Sequence, residues 1–214
     1  MKELCYTLRS DGSSDRALIP ILDWLLRNHL SSDCAIQNQW ADLRGIPRSK
    51  VNTLFEEIKL SVELYPCDLL FIHRDAEKEP REARIEEIGA VISQLTSVID
   101  VPTICVVPVR MTEAWLLFDE IALRKAASNP NGKIALQFPR LKQIECEPDP
   151  KKILHNLLRQ ASDLSSGRLR KFSVHERVHR VAELIDDFSA LRVLPAFTNL
   201  EAEIEDVIAR KGWR

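Results

Sequence analysis

Residues 68–77 read Asp68-Leu69-Leu70-Phe71-Ile72-His73-Arg74-Asp75-Ala76-Glu77. Residues 68–73 form a short apolar run bounded by polar residues, the pattern of a strand covered on both faces in a parallel sheet. The neighbouring sequence repeats the theme. Upstream, residues 3–8 (ELCYTL) read as a strand and residues 10–15 as a Ser/Asp/Gly turn. Leu18, Ile21, Leu22, Leu25 and Leu26 then recur at helical spacing, with Ser14 or Asp15 as N-cap and Pro20 in the first turn. A weaker strand at 35–40 precedes a helix carrying Val51, Leu54, Phe55, Ile58 and Val62, closed by Pro66. Downstream, Pro80 opens a helix through Ile85, Ile88, Val91, Ile92 and Leu95; residues 102–109 (PTICVVPV) read as a further strand, and Thr112 as the cap of a short helix. Strands alternating with helices imply an α/β fold with a mainly parallel central sheet flanked by helices. From about residue 120 the pattern turns helical, through Pro148-Asp149-Pro150 and segments 174–188 and 200–208. The expected organisation is an α/β core over residues 1–120 and a helical C-terminal region, 121–214, packed on it.

Composition sets outer limits. The 214 residues hold 30 Lys+Arg and 32 Asp+Glu, so a polycationic nucleic-acid coat is excluded while a local basic groove is not. No apolar run approaches the roughly 18 residues of a membrane span. An acid at position 3 and the lack of an apolar core argue against a signal peptide, and the expectation is a cytoplasmic chain with no membrane contact. Cys5, Cys34, Cys67, Cys105 and Cys146 are scattered and odd in number, and are expected to be reduced, buried thiols.

Three polar clusters follow three strands: Asp11-Gly12-Ser13-Ser14-Asp15, His73-Arg74-Asp75-Ala76-Glu77 and Arg110-Met111-Thr112-Glu113. In parallel sheets ligands sit beyond the carboxyl ends of the strands, so the three are expected to converge. Alternate residues of an extended segment point the same way, which would let Asp75 and Glu77 face one ion together. Asp11, Asp15, Asp75, Glu77 and Glu113 are hard oxygen ligands suited to Mg²⁺ or Mn²⁺. Taken singly, each cluster also reads as an ordinary turn, helix cap or solvated strand end.

The stretches SDGSSDRALIPIL, LLFIHRDAE, VPVRMTEAWLL and AASNPNGK resemble the TOPRIM superfamily of topoisomerases and primases, and more closely a small bacterial TOPRIM-like branch. The superfamily has a Glu-Gly turn after its first strand and an Asp-x-Asp at the end of a later one. The resemblance implies Mg²⁺-dependent cleavage or transfer at DNA or RNA phosphodiesters. Asp11 would stand for the Glu as general acid/base or ligand, Asp75 and Glu77 for the metal-binding pair, and Asp15 and Glu113 for supporting ligands. It also implies an ABC/SMC-like ATPase partner in phage defence, and leaves room for a homo-oligomer. Two departures matter: Asp11 is one methylene shorter than the family Glu and Glu77 one longer than the family Asp. Each changes reach by about 1.5 Å, so a non-cleaving regulator or scaffold binding an ATPase or nucleic acid is the alternative.

Arg74 and Arg110, each beside a proposed ligand, are candidates to steady a phosphate, as guanidinium forks do. Arg81 and Arg84 are expected to pair with acids on their own helix, and His73 reads either as a general base or as a structural histidine. The densest basic stretch holds Arg168, Arg170, Lys171, Arg177 and Arg180 and could track a nucleic-acid backbone or form a solvated helix face. Within it, His175-Glu176-Arg177-Val178-His179 fits the letter of the H-E-x-x-H zinc-protease motif, but charged neighbours and the lack of a third-ligand signature favour a basic surface helix; Glu183 and Asp187 are the only nearby candidates. Trp24, Trp40, Trp115 and Phe118 lie on periodic faces and are expected in the core.

Overall fold

The computed structural model describes residues 3–213, so Met1 and Lys2 of the N-terminal reading lie outside the described residues. Four parallel strands, β1 (Glu3–Arg9), β2 (Ala35–Trp40), β3 (Leu69–His73) and β4 (Thr103–Val106), form one sheet in the order β2-β1-β3-β4. Helices α1 (Ile19–His29), α2 (Leu54–Leu64) and α3 (Arg81–Leu95) connect them.

The apolar run in β3 explains the layering. Successive side chains point to opposite faces of a strand. Leu69 and Phe71 join a cluster with Ile21, Leu22, Leu25 and Leu26 of α1, whereas Leu70 and Ile72 join Ile58 of α2 and Ile88 of α3. Thus α1 covers one face, and α2 and α3 the other. The chain moves outward in one direction from β1 to β2, then crosses back over β1 to β3. The topological switch point therefore lies between the carboxyl ends of β1 and β3, where α/β sheets open a crevice for ligands.

The C-terminal region is helical as expected, with α4 (Glu120–Ala126), α5 (Pro150–Ser162), the short α6 (Ser166–Leu169), α7 (Val174–Leu184) and α8 (Pro195–Lys211). It shares one core with the sheet: Phe197 and Leu200 of α8 and Val178 and Val181 of α7 belong to the same cluster as Leu4, Tyr6 and Phe71. Trp115 stacks edge-on against Phe197 at 5.4 Å, and Trp24 lies 6.1 Å from Phe188.

Several boundaries differ from the sequence reading. The first helix is preceded by a 3₁₀ turn, Ser13–Leu18, whose cap is Gly12, not Ser14 or Asp15; Asp15 instead folds back onto the Gly12 N–H at 2.8 Å. Thr112 is not a cap but the first residue of a 3₁₀ turn, Thr112–Leu116, following Met111. The 174–188 helix stops at Leu184, and the last helix starts earlier, at Pro195, whose ring suits a first turn. The cysteines are free, but they are not buried as expected: four are half-buried and Cys146 is exposed. Among the described residues no helix is long and apolar enough to cross a membrane.

Candidate functional site

The loops after β1, β3 and β4 meet at the switch point. Backbone pairing carries the third one there. Beyond the ends of β3 and β4 the chains stay joined through Arg74 N–H to Val106 O, Ala76 N–H to Pro108 O and Glu77 N–H to Arg110 O, at 3.3, 3.3 and 2.8 Å. This ladder delivers Thr112 to Asp75, whose Oδ1 accepts the Thr112 N–H at 3.0 Å. Glu77 and Arg110 both adopt left-handed backbone, φ 54° and 67°, facing each other across the last rung. Such conformations cost about 1 kcal/mol or more each in non-glycine residues and gather at functional sites.

His73 is 1% exposed and sits at the centre of the group. Its Nδ1–H donates to Val106 O at 2.9 Å, which fixes the ring and aims Nε2 at the carboxylates: 3.4 Å to Asp75 Oδ1 and 3.8 Å to Asp15 Oδ2. With Nδ1 committed as donor, an attractive contact to either acid requires a proton at Nε2 or on the carboxyl itself. Asp15 and Glu113 are buried, and Lys151 of α5 approaches Glu113 at 3.4 Å. Burial raises the Asp75 carboxyl to about 6; the charges of Asp15 and Glu113 add to the rise, and His73 and the Thr112 N–H oppose it.

Asp15, Asp75 and Glu113 are thus electrostatically coupled. Asp11 is placed differently. It is half-exposed and held by two arginines, Arg9 at 2.9 Å and Arg74 at 3.4 Å. Arg9, itself buried, also pairs with Glu57, and Arg74 with Glu87. Glu77 is exposed; its left-handed backbone ends the extended geometry on which its alignment with Asp75 depended, although both still border a cavity of about 310 Å³ with Asp11, Asp15, His73 and Arg74. Arg110 donates to the Glu77 carbonyl at 3.1 Å, so its guanidinium braces the loop.

A scan of family models and searches of curated proteins and of solved structures return no match to this chain.

Asp15 and Asp75 border one cavity, the buried Glu113 lies near enough for its charge to act on Asp75, and the Asp75 carboxyl is driven toward the protonated state by its surroundings. That chemistry suits a hard cation, which would neutralise the group. The side chains are not drawn up as a finished cage: among the described residues no three acidic, His or Cys side chains are gathered closely enough to hold an ion.

The basic stretch divides. Arg168, Arg170 and Lys171 are exposed. Arg177 is a structural tie, donating to Ala126 O and Ser128 Oγ at 3.1 and 2.9 Å and lying over the Phe172 ring. Arg180 pairs with Glu183 and Asp187 is bonded by Ser189, so both acids already have partners, although the Glu183 charge still reaches His179. His175 and His179 do share a wall of α7, where they line a cavity of about 260 Å³ with Ser13, Ser14, Glu113 and Lys151. Burial and the nearby Arg16 charge hold His179 below the usual histidine range, while Glu176 faces solvent.

Lys151 and the α7 histidines escape a linear reading as neighbours of the carboxylates. Tertiary packing alone brings α5 and α7 there, and the one sequence signal was the i, i+4 histidine pair. Arg84 pairs with Glu87 as expected, whereas Arg81 reaches the Val107 carbonyl instead of an acid on its own helix.

Proposed function

We propose that the chain is a Mg²⁺- or Mn²⁺-dependent phosphodiesterase of TOPRIM type acting on DNA or RNA. The observation that carries this reading is the meeting of the loops that bear Asp15, Asp75 and Glu113 at the switch point, with the Asp75 carboxyl raised to about 6. Asp15, Asp75 and Glu113 would hold the cation, with Asp11 and Glu77 at the rim. A bound cation would neutralise phosphate charge and lower the pKa of a water nucleophile.

The chain's own groups supply the rest. Arg9 and Arg74 exchange part of their hold on Asp11 for a phosphate oxygen, a contact that guanidinium forks make readily. His73 keeps Asp75 and Asp15 aligned through its fixed ring and accepts or returns a proton at Nε2. The burial of Asp15, Glu113 and His73 strengthens the charge interactions that these groups make. An ATPase partner and a role in phage defence belong to the same proposal.

One observation favours the alternative of a non-cleaving module that binds nucleic acid or an ATPase. Arg9 and Arg74 already neutralise Asp11, and Lys151 stands on Glu113, so the site holds its own cations. Incubating end-labelled DNA and RNA with Mg²⁺ or Mn²⁺ separates the two. Cleavage by wild type that disappears in Asp75→Ala supports the enzyme. Equal products from both proteins, or none from either, removes it.

A further inference from the structure

We propose that the cleft between the ends of β1 and β2, next to the carboxylates, binds single-stranded nucleic acid by stacking a base on Trp40. The proposal deepens the phosphodiesterase reading by naming its substrate form, and rests on that reading only for what happens after binding.

Trp40 ends the edge strand β2 and is half-buried rather than enclosed in the core. Its indole N–H donates to Ser10 Oγ at 2.9 Å, and Ser10 in turn donates to the Gly12 carbonyl at 3.1 Å. The polar edge is therefore satisfied and anchored to the loop that carries Asp11. What remains to interact are the ring faces, and guanidinium groups occupy them: Arg44 lies 5.0 Å and Arg16 5.6 Å from the ring centroid. Both arginines are exposed, but Arg44 is held by Asp42 through two bonds, at 2.6 and 2.8 Å, whereas among the described residues the Arg16 guanidinium makes no ion pair or hydrogen bond. A base can displace Arg16 from the indole, and the displaced guanidinium is then free to meet the phosphate of the same nucleotide, while Arg44 stays on Asp42. Aromatic rings with neighbouring arginines bind single strands in this sequence-tolerant way, because every base has a π face.

The cleft has room and charge for this. It encloses about 390 Å³ and runs from Trp40 to Arg9, Asp11 and Gly12, continuous with the candidate catalytic loop. Arg48, on the 3₁₀ turn Arg48–Lys50, lines it, and among the described residues its guanidinium makes no ion pair or hydrogen bond. An exposed, unpaired arginine in the same cleft as an aromatic ring suits a backbone phosphate. A duplex keeps its bases stacked on one another and cannot offer a face to Trp40, so the geometry selects a single strand or a frayed end.

The experiment is fluorescence anisotropy with a labelled single-stranded oligonucleotide, as DNA and as RNA of the same sequence, and with the matching duplex, in EDTA so that cleavage cannot intervene. Wild type should bind at least one single strand more tightly than the duplex. Trp40→Ala should weaken binding by about 5- to 150-fold, the range of one lost base–aromatic stack. Because Trp40 also packs on the core, Arg48→Glu is the companion variant; it lies on an exposed turn and should weaken binding by about tenfold and reduce the salt dependence. Tight duplex binding with weak single-strand binding, no binding at all, or Arg48→Glu matching wild type would each overturn the proposal. Asp75→Asn should still bind. Binding without cleavage in Mg²⁺ removes the enzyme and keeps the cleft, whereas cleavage indifferent to Trp40 and Arg48 does the reverse.

Discussion

Replacing Asp75 by Asn should stabilise the metal-free protein at pH 8. The carboxyl is raised from 3.8 to about 6 in the folded chain, first by burial and then by Asp15 and Glu113. Between these values the folded state binds more protons than the unfolded state, so stability falls as pH rises through that window and stays low above it. Ionising such a carboxyl costs the fold about 3 kcal/mol. The side chain is 29% exposed, and solvent screening reduces the cost to about 1–2 kcal/mol. Asn keeps an oxygen for the Thr112 N–H and carries no charge. Thermal melts in EDTA at pH 8 should therefore show Asp75→Asn higher than wild type by about 2–8 °C, given roughly 2–4 °C per kcal/mol for a chain of this size. Near pH 4 the gain should shrink toward zero, because the wild-type carboxyl is then protonated in the fold. A loss of stability of similar size at both pH values would mean that Asp75 is held by favourable contacts and not stressed by its neighbours. The interpretation as a site poised for a cation would then fail.

Metal-dependent cleavage should rise with pH through about 6, as Asp75 becomes a carboxylate able to take a cation, and a rate–pH profile in Mg²⁺ reads this directly; a flat profile from pH 5 to 8 would exclude Asp75 as a ligand. Phe197→Ala should cost about 3–5 kcal/mol and lower the melting temperature by about 6–20 °C in a single transition, since α8 shares its core with the sheet. Two transitions, with only the first one moved, would show instead that the helical region unfolds by itself.

The sheet was legible because β3 has to be apolar on both faces; one run of residues reported both layers. The convergence of the three polar loops was legible for the same reason, since parallel strands place their carboxyl ends together. The internal arrangement was not. Pairing Asp75 with Glu77 assumed extended backbone, and the left-handed turn at Glu77 breaks that assumption through a conformation no residue type there announces. Asp11 looked like a ligand in sequence, but buried Arg9 comes from the preceding strand to claim it. Lys151 reaches Glu113 from a helix nearly 40 residues away, a contact made by packing alone. Trp40 shows the limit of periodicity: the pattern places it on the inward face, yet it ends an edge strand, where inward is only half covered.

Binding of Mn²⁺ at pH 8, followed by the loss of its free electron paramagnetic resonance signal, addresses the carboxylate site without requiring activity or a substrate. Wild type should take up the ion, and Asp75→Asn, folded and more stable, should take up much less. Equal uptake by the two proteins, or none by wild type, would contradict a cation site built on Asp15, Asp75 and Glu113.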